Sequence, residues 1–129
     1  MAEQESWYHR YPDYRVDLVP SKERMQAQFG ATVIATSDAA LIVEETDHTA
    51  VVYFPLDDIN LEWFTVTDHH TFCPFKGEAS YWTLTVNDDV AENVMWAYPD
   101  PFPQVAGLQR HAAFYGDRVA ISAAGTQVT

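Results

Sequence analysis

With 129 residues, 47% hydrophobic and 14% aromatic, the chain can bury one core, which excludes both a disordered tail and two full domains. Seven lysines and arginines against nineteen aspartates and glutamates leave a formal charge of -12. Such a surface repels nucleic acid and anionic membrane, so neither is an expected partner. Cys73 is the only cysteine, which excludes an internal disulfide and a multi-thiolate zinc site. No apolar run approaches the ~18 residues of a membrane span, and the acidic Met1–Ser6 start lacks a signal-peptide core, so the expected location is cytoplasmic.

In chain order, residues 1–24 gather Trp7, Tyr8, Tyr11 and Tyr14 with two prolines. They read as an extension that packs on the domain or on a partner subunit, the latter giving a homodimer, and residues 25–129 read as a single β-rich domain. Thr32–Thr36 is short and β-branched, with Ser37-Asp38 as its turn. Leu41–Glu45 and Ala50–Phe54 pair across Thr46–Thr49, and Pro55 with Asp57-Asp58 ends the second strand. Trp63–Thr67 is a further strand. Ser80–Val86 turns at Asn87-Asp88-Asp89 and returns as Val94–Tyr98, an antiparallel pair. Pro103–His111 is predicted as one short helix after the proline-rich Pro99–Pro103. Ala113–Tyr115 and Val119–Ile121 flank Gly116-Asp117, which reads as a two-residue hairpin loop of type II′. The expected fold is mainly β, a small antiparallel barrel or folded sheet with one or two short helices.

Chemistry concentrates in Thr71–Trp82, where a thiol, an ammonium, a carboxylate and hydroxyls stand within twelve positions. Polar groups are costly to bury without partners, so this mixture suits a site better than a plain strand. Pro74 and Gly77 bracket Phe75 and Lys76 in a tight loop. Cys73 is either a small buried hydrophobe or a thiol beside a positive neighbour. Lys76 and Glu78 share a face if the chain is extended, which permits an ion pair in which Lys76 holds a carbonyl and Glu78 acts as base. Of the adjacent His69 and His70, only one can face a pocket. A metal site from one of them with Cys73 and His111 has no spacing that requires it, so neither metal nor cofactor is expected. Asp100 reads as a cap for the helix ahead, or as a group orienting a base.

These residues are also similar to a known family. Cys73-Pro74-Phe75-Lys76-Gly77-Glu78-Ala79-Ser80-Tyr81-Trp82, then Trp96-Ala97-Tyr98-Pro99-Asp100-Pro101 and Ala113-Phe114-Tyr115, resemble the domain-of-unknown-function 427 family, also catalogued under a nucleotidyltransferase-like label. Arg15–Ser21, Val33–Ser37 and Tyr53-Phe54-Pro55 extend the likeness from about His9 to Ile121. The resemblance implies a mostly β single domain and little about activity. Members often carry Asp where this chain has Thr36, so no role of that carboxylate carries over. The chain has no G-x-x-x-x-G-K-S/T loop, G-x-G-x-x-G or G-x-S-x-G elbow.

The expected function is small-molecule binding, with cofactor-independent acid–base chemistry (cyclisation, isomerisation or hydrolysis) on a carbonyl-bearing metabolite. Glu78, Lys76, His70 and Asp100 are the candidate catalytic groups. Cys73, Tyr81, Trp96, Tyr98, Tyr53 and Arg15 are the candidate substrate contacts. A non-catalytic binding or interaction module is the alternative, and nucleotide handling a third.

Overall fold

Period-two burial builds the architecture. In β5 (Val51–Pro55), Val51 and Tyr53 face one side of a sheet while Val52 and Phe54 face the other. In β7 (Gly77–Val86), Ala79 and Tyr81 take the first side and Trp82, Leu84 and Val86 the second. A sheet apolar on both faces must be covered twice. The computed structural model describes residues 6–123 and 126–127, and shows how the chain does this.

Seven antiparallel strands form the larger sheet. Its order is β1 (Val16–Pro20), β4 (Leu41–Glu45), β5, β9 (His111–Phe114), β8 (Asp89–Ala97), β7 and β6 (Phe64–Cys73). The smaller sheet runs β11 (Thr126–Gln127), β10 (Ala120–Ala123), β2 (Met25–Phe29) and β3 (Thr32–Ser37). Between the sheets lies the main core, built around Phe54, Ile34, Leu84, Met95 and Val119. Each such side chain contributes roughly 1.5–3 kcal/mol through the apolar surface it removes from water. A second core occupies the opposite face of the larger sheet, where Val43, Tyr53, Tyr81 and Tyr98 lie under Val105 and Leu108.

The folded-sheet form of the expectation is the one observed, and the barrel does not close. β1 and β6 are the end strands of the larger sheet, and β3 of the smaller sheet is tied by the Ala35↔Ile59 bridge to the segment that follows β5. The β4–β5 hairpin forms as expected, its connection running one residue further to Ala50, with Asp47 at φ 62°. The β7–β8 turn is tighter than expected, since Val86 already faces Asp89 and Asn87 takes φ 54°.

Two local expectations are corrected. Residues Pro103–Leu108 form 3-10 turns broken at Val105 (φ -127°, ψ 34°), not a continuous helix. Six residues give too few hydrogen bonds to repay helix nucleation, and burial of Val105 and Leu108 fixes the path instead. Gly116-Asp117 is not a hairpin loop, because β9 pairs with β5 and β8 whereas β10 pairs with β2. The Arg118 and Val119 amides both donate to the Tyr115 carbonyl, a helical turn that carries the chain from one sheet to the other.

A polar cavity beneath an aromatic strap

The β6–β7 hairpin places the chemistry. Cys73 pairs with Gly77, leaving Pro74-Phe75-Lys76 as a tight turn, as its Pro and Gly suggested. Gly77 sits at φ 123°, a conformation that side-chain-bearing residues avoid. A Cβ there would lie 3.3 Å from the Asp100 carbonyl oxygen. The Phe102 amide donates to the Lys76 carbonyl (3.0 Å), so the 100–102 segment clamps the turn through backbone. This is the place of Asp100: its side chain is exposed, the residue that begins the 3-10 turn is Phe102, and no side chain caps it.

Phe75 anchors the turn from above. Tyr14 stacks on its ring (centroids 3.7 Å apart, 17° between planes), and Trp7, Tyr8 and Tyr11 surround it edge-on. The Tyr8 hydroxyl donates to the Phe75 carbonyl (2.6 Å), and the Trp7 amide donates to the Pro74 carbonyl (3.0 Å). Residues 7–14 therefore form a strap across the hairpin tip. The Tyr8 phenol is pushed up to about 12, first by burial and then by neighbouring Cys73 and Glu45.

Under the strap, a cavity of about 660 Å³ opens on the second-core face of the larger sheet. At its floor Lys76, 7% exposed, donates to Glu45 at the end of β4. Glu45 also accepts from the Tyr14 hydroxyl, and the His48 ring lies 3.8 Å away. Burial alone pushes the Glu45 carboxyl up, but hydrogen bonds from Lys76 and Tyr14, with the charges of Lys76 and His48, outweigh it and hold the carboxyl below its ordinary range. The Cys73 sulfur stands 4.0 Å from the Lys76 ammonium.

The walls are aromatic. Tyr53, Tyr81, Trp96, Tyr98 and Tyr115 line the cavity. Tyr53 accepts from the Trp96 indole (3.1 Å), and the Tyr81 hydroxyl meets Thr71 Oγ1 at 2.8 Å. Tyr98, 8% exposed, finds no hydrogen-bond partner among the described residues, yet its oxygen is not sealed from the open space. Burial, reinforced by neighbouring tyrosines, Cys73 and Glu45, raises Tyr98 well above the usual phenol range, and burial does the same for Tyr53. Both hydroxyls therefore stay protonated and available as donors at neutral pH.

Of the residues singled out from sequence, the cavity gathers Lys76, Cys73, Tyr53, Tyr81, Trp96 and Tyr98. Four lie elsewhere. Glu78 is exposed on the strand register that alternates away from Ala79 and Tyr81, so the partner of Lys76 is Glu45 rather than Glu78. His70 is exposed, with its Nδ1 3.3 Å from the Ala79 carbonyl. Asp100 clamps through backbone, as above. Arg15 is exposed beside Asp17 at 3.3 Å. Tyr14, Glu45, His48 and Tyr115 were not singled out from sequence for the site, because a strap, a strand end and a turn bring them in. No cluster of three or more His, Cys, Asp or Glu groups suited to a metal ion occurs among the described residues. Nor is any helix among them long and apolar enough to cross a membrane.

Fold and site together define a small antiparallel β protein with an aromatic-walled cavity whose floor is a buried Lys–Glu pair beside a thiol. The chain belongs to the family described as a domain of unknown function, DUF427, whose pattern matches residues 17–125. No curated protein matches it.

Proposed function

We propose that this chain binds a small carbonyl-bearing molecule in the cavity and performs acid–base chemistry on it. The observation that carries the reading is the Tyr98 hydroxyl, which opens into the cavity without a protein partner among the described residues, beside a buried Lys76. A hydroxyl that faces open space without a protein partner is free to donate to a ligand oxygen. An ammonium has three donors, and Glu45 with Cys73 engages two of them, which leaves one for a ligand oxygen.

The chemistry follows from these donors. A carbonyl oxygen held by Lys76 and Tyr98 acidifies the C–H bond beside it, because both donors strengthen as negative charge develops on oxygen. His48, next to Glu45 and 61% exposed, lines the same cavity and is the base we assign to that proton. Returning the proton to a different atom of the enolate gives an isomerisation. Attack by the same carbanion on a second carbonyl carbon of the ligand, whose π electrons move to oxygen and take up the abstracted proton, gives a cyclisation. Glu45, hydrogen-bonded and held ionised, positions Lys76 and His48.

A non-catalytic binding module is the second reading, favoured by the hydrogen bonds with which Lys76, Glu45 and Tyr14 satisfy one another. One experiment addresses both. Native protein is screened against small aldehydes, ketones, esters and amides by thermal shift, and each hit is tested for protection of Cys73 from iodoacetamide. Hits that protect Cys73, lose affinity in Tyr98→Phe and are turned over by the parent but not by His48→Gln support the enzyme. Binding without turnover supports the module, and no protecting hit defeats both.

A further inference from the structure

The larger sheet splits beside the cavity. β5 and β9 pair only at Phe54↔Ala112 and Pro55↔His111. Beyond that point Val51 and Val52 follow β4, through Val43↔Val51 and Ile42↔Val52. Ala113 and Phe114 instead follow β8, through Trp96↔Ala113 and Met95↔Phe114. The strands splay, and against the split lies a second cavity of about 970 Å³.

The chemistry of this second space is different. Met25, Ile42, Val52, Phe114 and Ile121 supply apolar walls, and the charged residues lining it are the exposed Lys22 and Glu23. Thr49, Val51, Trp96 and Tyr115 line both cavities, so the two spaces meet at the Trp96–Tyr115 pair, whose rings are 4.6 Å apart. A ligand whose head reaches Tyr98 thus has a wide apolar space adjoining its other end, across side chains that both spaces share.

Charge decides the head. Lys76 is the only lysine or arginine lining the polar cavity among the described residues, and Glu45 neutralises it. A carboxylate or phosphate head would meet that Glu45 charge, on a chain of net charge -12, and no lysine or arginine beyond the Glu45-bound Lys76 lines the cavity among the described residues to offset it. An uncharged acceptor meets the Tyr98 and Lys76 donors without that repulsion.

We infer that the two cavities form one bipartite site for an uncharged amphipathic carbonyl compound, its oxygen on Tyr98 and Lys76 and its apolar tail in the space beyond the β5–β9 split. The inference rests on the carbonyl reading above and adds the tail and the neutrality of the head. The test is calorimetric titration of the native protein with straight-chain methyl ketones from acetone upward, and with carboxylates of matched length. Affinity for the ketones is expected to rise roughly three- to fourfold per added methylene until the apolar cavity is full. The carboxylates are expected to bind at least about tenfold more weakly than ketones of equal length. Val52→Trp, which fills the apolar cavity alone, is expected to flatten the length dependence and spare the shortest ketones. Tyr98→Phe is expected to weaken every member by a similar factor.

If short ketones bind and respond to Tyr98→Phe while added methylenes change nothing, the bipartite site is overturned and the carbonyl reading stands. Carboxylates that bind as well as the ketones overturn the uncharged head. If ketones of every length fail to bind, both the inference and the reading beneath it fall.

Discussion

Glu45 and Lys76 stand 31 positions apart in sequence and meet as an ion pair whose side chains are 12% and 8% exposed. The meeting is a product of topology. β4 ends at Glu45 on one side of the larger sheet, and the β6–β7 turn folds Lys76 over the same face from the other. Removing either charge strands the other in a poorly hydrated place.

Lys76→Met and Glu45→Gln are each expected to destabilise the protein by roughly 2–4 kcal/mol, near the low end for breaking a buried pair because some exposure remains. The double substitution is expected to cost clearly less than the sum. Urea unfolding of the four proteins completes the cycle, and strictly additive losses would show that the two groups are not coupled.

Acid reports on the same pair. The Glu45 carboxyl is held below its ordinary range in the folded state, so its ionised form favours folding. That contribution is complete above the unfolded carboxylate value of about 4.3 and is lost as pH falls through the lower folded value. Unfolding midpoints measured downward from pH 6 should fall more steeply in the parent than in Glu45→Gln. Parallel curves would contradict the assignment.

Alkali reports on the strap. Tyr8 is raised to about 12 in the folded chain, so its protonated form favours folding. The stabilisation is complete below the unfolded phenol value of about 10 and disappears as pH rises from there toward 12. Ultraviolet titration of phenolate should show Tyr8→Phe missing one late-titrating group, and its unfolding midpoint should fall less between pH 10 and 12 than the parent's. An unchanged late phase would assign it to other tyrosines.

Gly77→Ala combines a disfavoured positive φ with a Cβ 3.3 Å from the Asp100 carbonyl oxygen. A loss of about 2 kcal/mol or more is expected, together with weaker ligand binding as the Lys76 turn shifts. Gly30 also has a positive φ but nothing near its Cβ direction, so Gly30→Ala serves as the control and is expected to cost less.

The turns and alternating strands were legible because they are local. Val51–Phe54 announces its two faces in four residues, and Pro74 with Gly77 announces the turn that carries Lys76. What joins distant segments was not. Val16–Pro20 became the edge strand β1 by pairing with β4, although Pro20 and Asp17 make it a weak strand in isolation. Ala113–Tyr115 and Val119–Ile121 looked like a hairpin because the sequence shows a glycine between apolar runs, but not that β9 is captured by β5 and β8. The site divided the same way. Lys76, Cys73 and the tyrosines stood out by type, whereas Glu45 looked like the polar end of a strand and His48 like a turn residue. Glu78 was drawn in by its nearness to Lys76 in sequence, and strand alternation turns it to the other face.

The strap gives the protein an order of events during its own synthesis. Trp7–Tyr14 is made before the ring it encloses, since Phe75 lies 67 residues beyond Tyr8. At roughly 5–20 residues per second the ribosome leaves these aromatics without their partner for several seconds. The piece made earlier docks later, as a layer over a hairpin that must already be folded. Until then it is an adhesive stretch of chain, and a nascent protein stalled before Phe75 would present it to whatever apolar surface is near.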